Sequence, residues 1–357
     1  MKKLLLSGVC LLTILAIGCK DKPTGQGISL TPEMGTVYHL GQPVSVKLNA
    51  PDDLKPDSVV YLLDSVRFAS TKDSASVSLK TDSMKLGSRL ITAKIYQGGT
   101  AQEISTNFML YAAKAPQALK YTVEKTFPHD TSSYTEGLQY LDGVMYESDG
   151  GRVDSPEGRS SLRTASLETG KVIKKVEGDP KIFMEGISVV GDKIVQLTYT
   201  EKIGYVYDKN TLKLLSTFTN NVGQEGWGMC FDGQRLYMDD STNRIWFLDK
   251  DTYQQKGYID VCDDKGQINE INELEYIDGK LYANVYQTDT ILVINPKTGA
   301  VEQRVDMKDL YPMADRPQDR DWSNNVLNGI AWDADGKRLF VAGKRWPHLY
   351  QVKFVKK

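Results

Sequence analysis

The chain has 357 residues, of which 40% are hydrophobic and 25% charged, proportions that exclude a disordered chain and a multi-span membrane protein. Its 44 Lys and Arg against 46 Asp and Glu leave a net charge of −2, so nothing electrostatic points to nucleic acid as a partner. The 19 Tyr and 30 Gly tilt the composition towards strands and turns.

Met1-Lys2-Lys3 and the apolar run 4–17 read as a signal peptide, because the run is too short to span a bilayer as a helix. It ends Leu15-Ala16-Ile17-Gly18-Cys19 before the polar Lys20-Asp21-Lys22-Pro23, which resembles a bacterial lipoprotein cleavage site. Residues 1–19 are therefore expected to be removed up to a lipidated Cys19. That would anchor the protein to a membrane of the bacterial cell envelope, facing the periplasm or the cell surface. An ordinary secretory signal is the alternative. Residues 20–27 form a linker.

Of the 4 Cys, only Cys230 and Cys262 fall outside this segment, and a bridge between them or two free buried thiols are both open. The 3 His, at positions 39, 129 and 348, are far apart and there is no Cys-x-x-Cys, so no metal ligands are assigned.

Residues 28–115 hold alternating runs such as Val44-Ser45-Val46-Lys47-Leu48, Ser74-Ala75-Ser76-Val77-Ser78-Leu79 and the stretch 89–96, separated by Gly, Pro, Asp and Asn. They suggest a small immunoglobulin-like β-sandwich, with no constellation that implies catalysis.

Residues 119–357 repeat. Glu136-Gly137-Leu138, Glu185-Gly186-Ile187, Trp227-Gly228-Met229, Asn272-Glu273-Leu274 and Asn328-Gly329-Ile330 each open a strand. A turn and a second strand follow, then a third ending in Asp or Asn, as in Tyr205-Val206-Tyr207-Asp208 and Ile291-Leu292-Val293-Ile294-Asn295, then a fourth. Four strands in roughly 45 residues is the signature of a β-propeller blade, so five units predict an all-β, five-bladed propeller. The stretch 120–127 precedes the first unit as an orphan strand that can complete the last blade and close the ring. The charged stretch 306–321 reads as a solvated rim loop, with a substrate lid as the alternative.

Inner strands of a propeller line its channel, so Glu136, Glu185, Trp227, Asn272 and Asn328 should converge on one mouth, a polar set suited to a pocket. Phe127-Pro128-His129-Asp130, Tyr134-Thr135-Glu136-Gly137-Leu138, Tyr146-Glu147-Ser148-Asp149-Gly150, Phe183-Met184-Glu185-Gly186-Ile187, Glu225-Gly226-Trp227-Gly228, Asn284-Val285-Tyr286-Gln287 and Gly343-Lys344-Arg345-Trp346-Pro347 resemble, in order and spacing, the plant-type glutaminyl-peptide cyclotransferases.

That resemblance implies cyclisation of an N-terminal glutamine to pyroglutamate with loss of ammonia. The partners would be peptides or proteins that begin with glutamine, and the enzyme is expected to be a monomer. It implies Glu185 as the acid that shuttles protons, and Tyr134, Phe183, Tyr199, Trp227 and Tyr286 as substrate-binding walls. Lys344 or Asn272 would carry the developing oxyanion charge. Tyr199 and Tyr286 stand where plant members have Trp, Glu136 where they have Gln, and Met184 where they have Gly. Met184 should point away from the Glu185 side chain. Glu136 either holds the substrate ammonium or raises the pKa of Glu185.

No cofactor is expected for catalysis, and a structural calcium is left open. A metal-dependent propeller lactonase and a non-catalytic binding lipoprotein are the competing readings.

Overall fold

A computed structural model describes residues 27–318 and 322–357. The signal peptide, Cys19 and all of the linker but Gly27 lie outside the described residues. No described helix is long and apolar enough to cross a membrane.

Residues 29–111 build two packed sheets. Ser29–Thr31, Val44–Asn49 and Val77–Leu79 form one, and five strands with Gly87–Gln97 at the centre form the other. Alternation sets the faces: Val44, Val46 and Leu48 are buried while Ser45 and Lys47 between them are exposed. The predicted strand over 74–79 is shorter, because Asp73 Oδ1 accepts the Ala75 N–H at 2.8 Å and holds its first residues in a turn.

The remaining strands form five four-stranded units, with innermost strands Thr135–Leu141, Met184–Val190, Met229–Phe231, Ile271–Ile277 and Leu327–Asp333. Each inner strand packs on the next, and the fifth packs on the first. The strand Gln117–Pro128 pairs antiparallel with His348–Lys356, supplying the outer strand of the last unit, so the chain's two ends clasp the ring. Its first residues also pair parallel with Val301–Asp306 of the fourth unit.

Local chemistry explains the repeat. Asp142-Gly143 and Asp278-Gly279 all have positive φ, as a two-residue type I′ hairpin requires. The Asp that ends a third strand caps the next turn: Asp208 Oδ1 accepts N–H groups of Asn210 and Thr211, and Asp249 Oδ1 those of Asp251 and Thr252.

Close approach explains the opening glycines Gly137, Gly186 and Gly228, and a φ of 122° explains Gly329. A Cβ at Gly137 would lie 2.6 Å from Ile187 N, and one at Gly228 would lie 2.6 Å from Asn272 O. The fourth unit carries Glu273 instead, and its carboxylate accepts the Leu138 N–H at 3.1 Å and the Ile330 N–H at 2.8 Å. One buried side chain thus ties the fourth unit to the first and the fifth.

The stretch from 306 to 318 is largely exposed, as a solvated loop would be, but Met307, Leu310 and Arg316 pin it to the propeller. Met307 is fully buried, and Arg316 is only 2% exposed, stacked 4.9 Å from the Trp346 ring centroid. Arg316 pairs with Asp289 at 2.7 Å and donates to Tyr311 O at 2.9 Å. Arg316 alone among the described charged residues of the stretch departs from the solvated reading, because its guanidinium is paired inside. Cys230 and Cys262 are both free and buried, so no bridge joins them. Cys262 belongs to the sandwich core, where Leu86 N–H donates to Thr298 O and Ala112 N–H to Asp263 O, docking the sandwich on the third and fourth units.

Candidate active site

Four of the five opening residues sit at β-bulges of their inner strands. The pairing register shifts across Glu136, Glu185, Asn272 and Asn328. A bulge breaks strict alternation and re-aims the side chain, here at the opening motif of four inner strands.

The result is a cavity of about 170 Å³, several times the ~30 Å³ share of one water. Its polar lining is Glu136, Glu185, Asn272 and Lys344, all buried. Its apolar lining is Tyr134, Phe183, Tyr199, Trp227 and Tyr286, so nine of the ten pocket residues singled out from the sequence meet here, and Asn328 does not. Asn328 stands behind the wall, donating to Glu136 Oε2 at 3.1 Å and to Thr135 O at 2.9 Å. Met184 turns away and packs on Gly178. Arg152 also lines the cavity. Sequence reasoning missed it, and its place in the loop after Tyr146-Glu147-Ser148-Asp149-Gly150 was the only signal.

Aromatic edges pack the walls. Tyr134 meets Phe183 at 6.3 Å between centroids, Phe183 meets Tyr199 at 5.9 Å, and Trp227 meets Tyr286 at 5.4 Å, all edge to face. Gly150 makes room for this packing, since a Cβ there would run into the Phe183 ring and lie 2.8 Å from Glu136 Cγ.

Electrostatics divides the polar groups. Lys344 Nζ bonds Glu136 Oε1 at 2.6 Å and lies 4.6 Å from the Tyr134 ring centroid and 5.4 Å from that of Tyr286. Burial lowers the Lys344 pKa, but Glu136 and Glu185 more than offset it, so the ammonium persists. Burial raises the Glu136 pKa to about 7, against the pull of Lys344. Glu185 rises well above the usual carboxylate range, first through burial and next through the charge of Glu136. One cation faces two carboxyls. The Lys344 ion pair and the Asn328 bond favour the charged form of Glu136, whereas burial and that charge favour the neutral form of Glu185. Two buried polar atoms on the lining, Trp227 Nε1 and Asn272 Oδ1, have no partner among the described residues.

His129 serves structure. Its ring bridges Trp346 O at 2.7 Å and Glu147 Oε1 at 2.9 Å, within a buried network of Ser133, Thr135, Asp149 and Arg163 outside the cavity. Among the described residues no three His, Cys, Asp or Glu are grouped to hold a metal ion, which leaves the calcium considered from the sequence without such a cluster.

Comparison with known proteins agrees with this geometry. A family model described as glutamine cyclotransferase matches residues 91–354. A glutaminyl-peptide cyclotransferase of Arabidopsis thaliana is 36% identical over 228 residues, 64% of this chain and 69% of the relative. The crystal structure of Myxococcus xanthus glutaminyl cyclase superposes with a TM-score of 0.61 at 29% identity, covering 67% of this chain and 98% of that one. The chain belongs to the glutamine cyclotransferase family.

Proposed function

We propose that this protein cyclises the N-terminal glutamine of peptides, with Glu185 as the proton shuttle. The observation that carries this is a buried carboxyl, its pKa pushed well up by burial, facing a cavity that also holds the buried Lys344 amine and, without partners among the described residues, an amide oxygen and an indole N–H. The aromatic walls fold the flexible glutamine so that its α-nitrogen meets its own carboxamide carbon. That nitrogen, neutral, forms the new bond to the carbon, and the carboxamide oxygen takes the negative charge. Lys344 and the Asn272 amide stabilise this oxygen. Glu185 gives its proton to the departing nitrogen and takes one from the attacking nitrogen, so it ends as it began. The carbon–nitrogen bond of the carboxamide breaks and ammonia leaves.

None of these proton transfers calls on a metal or cofactor. A glutaminyl dipeptide amide should lose about 17 Da, the mass of ammonia, with and without a chelator. An intact dipeptide after incubation with folded protein would overturn the assignment. Glu136 serves through its charge rather than as a shuttle. In Glu136→Gln its charge no longer raises the Glu185 pKa, and Lys344 now lowers it unopposed. The alkaline limb of the kcat profile, where Glu185 loses its proton, should move to lower pH. An unmoved limb would disconnect the two carboxyls.

The N-terminal sequence supports a lipid anchor at Cys19 and a place in the bacterial cell envelope. Metabolic labelling with a fatty acid, lost in Cys19→Ala, tests that part separately.

A further inference from the structure

The reacting glutamine fills the polar floor, so the rest of the peptide must leave through the mouth. The charged side chains of the floor are almost wholly buried, whereas the Arg152 side chain is 38% exposed, which puts it where the chain leaves. Its guanidinium is held in place. Nε donates to Lys181 O at 3.1 Å, one Nη2 hydrogen goes to Glu201 Oε1 at 2.6 Å, and the group lies 5.4 Å from the Phe183 ring centroid. Glu201 is itself fixed, accepting N–H groups of Phe183 at 3.4 Å and Thr200 at 3.1 Å. Among the described residues Nε and Nη2 each have one partner and Nη1 has none, which leaves Nη1 and the second Nη2 hydrogen for a ligand.

We propose that Arg152 is a specificity residue that binds a carboxylate on the residue following the glutamine. Such a fork receives two carboxylate oxygens at once, and its ordering cost is met in advance by Glu201, Lys181 and Phe183. Glu201 balances the charge, so the preference comes from fork geometry and favours a carboxylate side chain over an ammonium. The proposal rests on the cyclotransferase reading and names which peptides that site prefers.

The test uses three C-terminally amidated tripeptides, with Gln first, Gly last and Glu, Ala or Lys between, so that the side chain holds the only carboxylate. Each kcat/KM is normalised to the alanine peptide turned over by the same protein. The wild type should favour Glu over Lys by about fivefold, mainly through KM, as expected for a partly exposed charged pair. Arg152→Gln should bring that ratio close to one. Arg152→Lys, which keeps the charge without the fork, should fall between. Equal turnover of the three peptides by the wild type, or an undiminished ratio in Arg152→Gln, overturns the proposal alone. Turnover of none of them overturns the cyclotransferase reading and the proposal with it.

Discussion

Glu185→Gln should lower kcat/KM by about a thousandfold, within the 10²–10⁴ that a positioned acid–base group supplies, while the fold survives. Glutamine keeps the size and hydrogen-bonding shape of a protonated carboxyl, so the walls formed by Phe183 and Trp227 stay in place, but it cannot exchange a proton between the two nitrogens. Stability gives a second readout. The Glu185 pKa is raised in the fold, so the carboxyl binds its proton more tightly there than in the unfolded chain. Its contribution is complete below the unfolded value near 4.5 and is lost as pH rises through the folded value. Gln carries no such dependence. The melting temperature of Glu185→Gln should therefore gain on the wild type as pH rises, because only the wild type must ionise a buried group at this position. A variant with wild-type turnover, or with the same melting-temperature difference at pH 5 and pH 9, would remove Glu185 from the proposed role.

Much of this arrangement was legible because a propeller writes its geometry as a repeat. Glu136, Glu185, Asn272 and Asn328 recur at the head of each unit because each sits on an inner-strand bulge. Asp142-Gly143 and Asp208 recur because each turn needs its own backbone chemistry. What escaped was whatever breaks the repeat or depends on contacts between units. Glu273 takes the place of a glycine, and its bonds to Leu138 and Ile330 span residues far apart in the chain. Arg316 looked like one more charge in a polar stretch until Asp289 and Trp346 closed around it. Arg152 is held at the cavity by Glu201, Lys181 and Phe183, all from the next stretch of chain rather than its own loop. Cys262 lies in the propeller sequence yet packs in the sandwich core, a fact about docking that no local pattern carries.

Lys344→Met should be the most damaging change after Glu185→Gln, and its cost should depend on pH. The ammonium is the cation of the polar floor, 2.6 Å from Glu136, with two aromatic faces beside it. Removing it leaves Glu136 and Glu185 buried together without compensation. Breaking a buried pair from one side costs about 3–5 kcal/mol when the other charge must stay. Glu136 has an escape, since it can take a proton. With Lys344 present burial already lifts its pKa to about 7, and without Lys344 the value must lie higher. The Glu136 contribution in the variant is then complete below about 4.5 and is lost as pH climbs through that raised value. The melting-temperature deficit of Lys344→Met should accordingly be small at pH 5 and large at pH 8. Adding Glu136→Gln removes the stranded carboxylate and should recover most of the stability at pH 8. Turnover should not follow. If Lys344 stabilises the oxyanion, the double variant stays at least about a hundredfold below wild type, the scale of losing one such donor. Recovery of turnover along with stability would instead make Lys344 a counter-ion for Glu136 alone and leave the oxyanion to Asn272.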